Sequence, residues 1–178
     1  MIVRPATPGD LDACRRLDGS SQSDSVWNMQ QLSEREGITV LLASVRLPRV
    51  VEVPYPADVN DLAERLDRGD ALLVAEDESE ETVAGWLALA FDRAAGLARL
   101  EHLLVAPERR RRGVATAMLR EAVKVSRQAG MRAMLMACQA KNGPGIALCR
   151  KLGLEMCGYN EQQYGDHDVS LLFAYRIR

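Results

Sequence analysis

LEHLLVAPERRRRGVAT, residues 100–116, decides how this chain is read. Leu100 to Val105 is an apolar, strand-like run, and Ala106-Pro107-Glu108 is a turn. A segment with helical apolar spacing then runs from Arg112 to Ala129, with Val114, Met118, Ala122 and Val125 on one stripe and Arg120, Lys124 and Arg127 opposite. Between strand and helix lie four arginines and two small residues. The first N–H groups of a helix have no intrahelical partner and carry the positive end of its dipole, so this arrangement suits phosphate. Gly113 and Ala115 let a pyrophosphate approach the backbone where larger side chains would block it. Four arginines alone fit a solvated helix start equally well. A nucleic-acid patch is disfavoured by a net charge of -2 and by the lack of aromatics among the arginines. The position after a strand favours a nucleotide phosphate.

Outward from this stretch the chain alternates strands and helices. Ile2 and Val3 form a short first strand, and Thr7 caps a helix with Pro8 at its first position and Leu11, Cys14 and Leu17 on one face. Ile38 to Val53 reads as two strands joined by a turn at Arg46-Leu47-Pro48-Arg49. Asp58 caps a helix carrying Val59, Leu62 and Leu66, which Gly69 stops. Strands follow at Ala71–Glu76 and Val83–Phe91, with the acidic stretch Glu76–Glu81 as a solvated hairpin loop. Arg99–Val105 is the next strand. Beyond the long helix and Gly130 come a strand at Ala133–Cys138 and a short helix from Asn142 to Leu152 ending at Gly153. Strands at Leu154–Tyr159 and Leu171–Arg176 complete the order. Neither repeat nor linker interrupts it, so a single α+β domain over residues 1–178 with a mixed sheet is expected.

Composition narrows the function classes. At 47% hydrophobic and 27% charged, 178 residues can build one ordinary core. No apolar run approaches the roughly 20 residues of a membrane span, and the start lacks the build of a secretion signal. Cys14, Cys138, Cys149 and Cys157 are scattered without a C-x-x-C pair, and there are only two histidines, so no metal site is expected and a cytoplasmic protein with reduced thiols is.

Two blocks resemble the GNAT superfamily of acyl-CoA-dependent N-acetyltransferases. Val105-Ala106-Pro107 followed by Arg110-Arg111-Arg112-Gly113-Val114-Ala115 is similar to the family's V-x-P and (Q/R)-x-x-G-x-(G/A) pyrophosphate loop. Asn142-Gly143-Pro144-Gly145-Ile146-Ala147-Leu148, through Lys151-Leu152-Gly153-Leu154, is similar to its asparagine-led helix and following strand. Their order and spacing together are more specific than either alone. Shorter matches resemble streptothricin acetyltransferases: Leu17-Asp18-Gly19-Ser20, Ser23-Asp24-Ser25-Val26, Val50-Val51-Glu52-Val53-Pro54, Leu100 to Val105, Cys157-Gly158-Tyr159, and Leu171 to Arg176.

The resemblance implies a GNAT-like mixed central sheet, flanked by helices, whose parallel strands Arg99–Val105 and Ala133–Cys138 splay apart. Acetyl-CoA would be the cosubstrate, its pantetheine adding to backbone groups of Leu103 and Val105. An amide near Leu104 would polarise the thioester and stabilise the oxyanion. Arg110, Arg111, Arg112, Gly113, Val114, Ala115 and Thr116 would hold the pyrophosphate, and Asn142 would brace the splay or bond the pantetheine. An alkyl amine arrives protonated, with a pKa of about 10, so a base is needed. Glu101 is the candidate, against the ordinary reading of a salt-bridged surface glutamate. His102, on the opposite face, reads as structural.

The chain departs from the family at two positions. Many members carry a tyrosine acid where Cys149 stands, and a glutamate where Ala137 stands. Cys149 is the candidate proton donor, its thiol pKa of about 8.5 being near that of CoA, although helix packing is the commoner use of such a cysteine. The implied acceptor is a small, cationic primary amine such as streptothricin, drawn by acidic residues such as Asp18, Asp24 and Glu52. A protein N-terminus or lysine is the second reading, and a CoA-binding module with degenerate chemistry the third. No nucleic-acid or membrane partner is expected, and a homodimer is left open.

Overall fold

The computed structural model describes residues 1–77, 82–165 and 168–177. Residues 78–81 of the expected acidic loop lie outside them. Two compact units emerge: Met1–Gly19 with Ala57–Met136 and Ala174–Arg178, and Ser20–Pro56 with Ala137–Phe173.

In the first unit, β1 (Ile2–Pro5) pairs antiparallel with β4 (Ala71–Asp77), β4 with β5 (Thr82–Asp92), and β5 with β6 (Leu97–Val105). The start of β7 (Ala133–Gln139) then lies parallel to β6, from Leu97↔Ala133 to Leu100↔Met136. That register ends at Leu100, five residues before β6 does. The mixed sheet with one parallel pair is the expected fold class.

Its core follows from the strand pattern. Val74, Trp86, Leu87 and Leu89 are fully buried, and Trp86 donates its indole N–H to the Cys14 carbonyl at 3.0 Å. Helix α3 (Val114–Gln128) buries Val114, Met118, Leu119 and Ala122 and exposes Arg120, Lys124 and Arg127, the faces its periodicity requires. Ser126, not Val125, closes the buried stripe. Helix α1 (Leu11–Arg16) follows a 3-10 turn at Pro8–Asp10. Helix α2 (Leu62–Asp67) starts from Asp61 rather than Asp58. The Asp58 carboxylate instead accepts the Asn60 N–H at 2.9 Å, a local turn that uses up the expected cap.

In the second unit, β2 (Ser21–Glu34) and β3 (Gly37–Val53) form one long antiparallel ribbon. The expected pair of strands within 38–53 is therefore a single strand. Its partner lies upstream, and the turn falls at residues 35 and 36. Pairing steps from Ser25↔Arg46 to Ser23↔Val51, so Leu47 to Val50 bulge opposite Asp24. Pro48 cannot donate to a ladder and sits where the ladder is broken. Helix α4 (Gly143–Lys151) packs on β2, and β8 (Glu155–Asn160) lies beside β9 (Ser170–Arg176). A Cβ on Gly143 would sit 2.6 Å from the Ser25 hydroxyl, so only glycine allows this approach. Its N–H donates to Ser23 Oγ at 3.2 Å.

Candidate active site

The far end of β6 carries the candidate site. The Ala106 N–H donates to the Ala84 carbonyl at 2.9 Å. Hydrogen-bonded pairs alternate along an antiparallel ladder, so Leu104 also turns its main-chain groups toward β5, opposite Trp86. Leu103 and Val105 face theirs the other way, along the edge where the β7 register has ended. The amide near Leu104 is thus committed to the sheet, and the amides of Leu103 and Val105 face the open edge. Pairing also shifts between Ala88 and Leu89, leaving Glu101 as the extra residue of a β-bulge. Bulges re-aim side chains and end regular pairing. Alternation of apolar residues gave no sign of this one.

The arginine run divides its labour. Arg109 pairs with Asp77 at 2.8 Å. Arg110 folds back, its Nε donating to the Val105 carbonyl at 3.0 Å and its Nη2 to the Asp18 carbonyl at 2.7 Å. Arg110 therefore braces the loop and occupies a carbonyl expected to meet the cosubstrate. Arg111 and Arg112 are exposed and have no ion pair among the described residues. Arg111 has φ 63° and Gly113 has φ 87°, so the loop twice enters the left-handed region before the helix. Gly113 is the N-cap and brings no side-chain cap, which leaves the first-turn N–H groups of Val114, Ala115 and Thr116 for an anion. A Cβ on Gly113 would meet nothing within 4 Å. Conformation, rather than crowding, favours glycine here.

Glu101 is paired. Its Oε2 accepts from Arg65 Nη1, and Arg65 also lies 2.9 Å from Asp61. Arg65 is separated from Glu101 by 36 residues and gave no sequence signal. His102 is buried, its ring 5.3 Å from that of Trp86. Burial, followed by the charge of Arg65, lowers its pKa below 6.5, so it is neutral at pH 7.

In the second unit, Asn142 caps α4. Its Oδ1 accepts the Gly145 N–H at 2.9 Å and the Ser21 hydroxyl at 3.4 Å. Cap formation thus engages the oxygen offered for pantetheine. Cys149 is fully buried, with its Sγ 3.6 Å from that of Cys138. Contact with Cys149 and burial raise the Cys138 pKa well above 9.0. This placement favours packing over proton donation. Among the described residues no cluster suits a metal ion, and no helix is long and apolar enough to cross a membrane.

Residues 39–154 match the sequence profile of the Acetyltransferase (GNAT) family. The chain belongs to that family. It is an N-acetyltransferase, and acetyl-CoA is its acyl donor. This acetyltransferase is 26% identical over 161 residues to the streptothricin acetyltransferase of Streptomyces lavendulae, covering 90% of this chain and 85% of the relative. The crystal structure of nourseothricin acetyltransferase superposes with a TM-score of 0.84 at 24% identity, covering 99% of this chain and 98% of that one. A Bacillus anthracis protein assigned as a streptothricin acetyltransferase, solved with acetyl coenzyme A, gives 0.81 at 16% identity with the same coverage.

Proposed function

We propose that this acetyltransferase, acting as a single catalytic domain over residues 1–178, acetylates a primary amine of a small cationic molecule, streptothricin being the first candidate. The observation that carries the acceptor class is the similarity to the Streptomyces enzyme across 90% of the chain. The β6 edge and the α3 N-terminus supply the machinery. Backbone groups of Leu103 and Val105 would take the pantetheine as an added strand, Val105 releasing its carbonyl from Arg110 or sharing it. The first-turn N–H groups of α3 would bind the pyrophosphate, with Arg111 and Arg112 adding charge. Acetyl-CoA supplies the activated acyl group as a thioester.

Glu101 accepts the proton of the incoming ammonium, directly or through water, and Arg65 holds its other carboxylate oxygen in place. A main-chain N–H of Leu103 or Val105 replaces the amide near Leu104 as the donor to the acyl oxygen. Cys149 keeps to the interior, so the CoA thiolate leaves without a dedicated acid. The test is CoA release, read by a thiol reagent, with streptothricin, cadaverine and a protein N-terminal peptide as acceptors. Turnover of the two amines with none of the peptide supports the reading. The reverse pattern replaces it with protein acetylation, and no turnover with any acceptor leaves a CoA-binding module.

A further inference from the structure

The ribbon of the second unit has an open edge. Among the described residues β2 and β3 form a sheet of two strands, so β2 takes up one edge of β3 and leaves the other. Which groups lie on that other edge follows from Trp27. Its N–H donates to the Ala140 carbonyl at 2.8 Å rather than to β3, so Trp27↔Ser44 is a pair without mutual hydrogen bonds. Alternation along the regular ladder puts Leu42, Val40 and Ile38 in the same class, opposite Met29, Gln31 and Ser33. The main-chain groups of Ile38, Val40, Leu42 and Ser44 therefore face outward, and among the described residues they have no backbone partner. Proteins ordinarily guard such an edge with a charge, a proline or a bulge. β3 does so from Arg46 onward, with Pro48 in the bulge, whereas residues 37–45 read Gly-Ile-Thr-Val-Leu-Leu-Ala-Ser-Val and carry no guard. Ile38 is 68% exposed, Leu41 57% and Val45 46%. A ribbon of two strands is marginal in water, and three or more strands with an apolar face are stable.

We propose that this edge pairs with the same edge of a second copy, joining two ribbons into a four-stranded sheet across a two-fold axis. Such an axis makes the facing strands antiparallel and the contact self-complementary. Directly opposed residues both turn their main-chain groups toward the partner or both turn them away, so the two residue numbers of every pair add to an even number. The uncharged segment 37–45 is centred on Leu41, and a sum of 82 overlaps the whole segment with that of the partner. Val40 then exchanges two hydrogen bonds with the partner's Leu42, and Ile38 with the partner's Ser44. Leu41 meets its own copy at the axis as a close pair without hydrogen bonds. The same register matches charge, because Glu36 comes opposite the partner's Arg46 just beyond each end of the segment. A sum of 84 sets Arg46 against Ile38 and Glu36 against Pro48, and a sum of 80 carries Val45 and Arg46 past the start of β3 at Gly37. For a second copy, symmetry supplies the charge match twice.

The experiment is sedimentation velocity of the full chain over a concentration series, with thermal melts to confirm that each variant folds. Wild type is expected to sediment as a dimer that dissociates on dilution. Val40→Pro removes one outward N–H and leaves the bonds between β2 and β3 in place, and Leu41→Lys sets like charges against each other at the axis. Both should sediment as monomers. Arg46→Glu, which faces Glu36 twice, should raise the dimer Kd about 5- to 30-fold, and combining it with Glu36→Arg should restore wild-type affinity. Cys157 is the exposed cysteine, so cross-linking is read in a Cys157→Ser background. There Leu41→Cys should form a disulfide with its own copy on mild oxidation, while Thr39→Cys, whose copies would lie about 13 Å apart along the strands, should not. Should Val40→Pro fail to fold, Leu41→Lys and the cross-link carry the test. A wild type that stays monomeric at every concentration overturns the proposal. So does a dimer that Leu41→Lys and Val40→Pro leave intact, a double variant that fails to restore affinity, or a ladder of larger assemblies in place of a closed dimer.

Discussion

Gly113→Asp separates folding from cosubstrate binding at one residue. At φ 87° a β-branched or bulky residue is strained, but aspartate tolerates this region better, and among the described residues no atom beyond the immediate chain neighbours lies within 4 Å of the new Cβ. A carboxylate at the start of α3 complements the helix dipole by up to about 1 kcal/mol, which offsets part of the positive-φ cost, so the unliganded protein should stay within about 1 kcal/mol of wild type. Acetyl-CoA meets the opposite effect. A carboxylate about 4 Å from an anion on the first-turn N–H groups repels it by about 1 kcal/mol in bulk water and about 4 kcal/mol near a protein surface. That raises Kd between about 5-fold and 10³-fold. Thermal melting reads both effects. Acetyl-CoA at 100 times its Kd stabilises wild type by about 2.7 kcal/mol, or roughly 5–10 °C for a chain of this size. A 100-fold weaker Kd shrinks that shift to about 1 °C. Gly113→Asn, which tolerates the same φ without the charge, should keep most of the shift. A Gly113→Asp protein whose melt rises with acetyl-CoA as wild type does would refute the placement of the pyrophosphate.

Glu101→Gln should lower kcat/KM about 10²-fold at pH 7, with the loss shrinking as pH approaches the amine pKa, because the acceptor then arrives deprotonated. Wild-type kinetics at pH 7 would reduce Glu101 to a partner for Arg65. Cys149→Ala removes a buried sulfur and should cost about 1–2 kcal/mol in denaturant melts while leaving kcat nearly intact; a 10-fold kcat loss in a folded protein would make the thiol a donor. Asp10 accepts from both Nη atoms of Arg4 at 2.9 Å and from Thr7, and the Arg4 bond foremost holds its carboxyl well below the usual range. Its contribution is therefore complete above the unfolded pKa of about 3.9 and is lost as pH falls toward the folded value. Asp10→Asn should cost about 1–2 kcal/mol at pH 7 and flatten the acid limb of stability below pH ~4, and an unaltered acid limb would contradict the assignment.

Elements with strong local signals were legible. The α3 stripe, the Gly113 helix start and the order of strands around residues 70–160 could be read because each follows from periodicity or from one cap within a few residues. Long-range pairing could not. Ile38 to Val53 looked like two strands because Pro48 resembles a turn, and only the register with Ser23 and Ser25 turns it into a bulge. At the site, the strand and loop were visible, but the phase of the backbone groups was not, since it depends on which β5 residue opposes Leu104. The roles of Arg110, folded onto Val105, and of Arg65, paired with Glu101, rest on contacts that spacing does not encode.

The central claim is acetyl transfer to a small cationic amine, and mass spectrometry of streptothricin incubated with the purified protein and acetyl-CoA tests it most directly. The account predicts a product heavier by one acetyl group, located on a primary amine, formed in step with CoA release and absent when acetyl-CoA is omitted. Unmodified streptothricin alongside acetylation of a peptide N-terminus would contradict it.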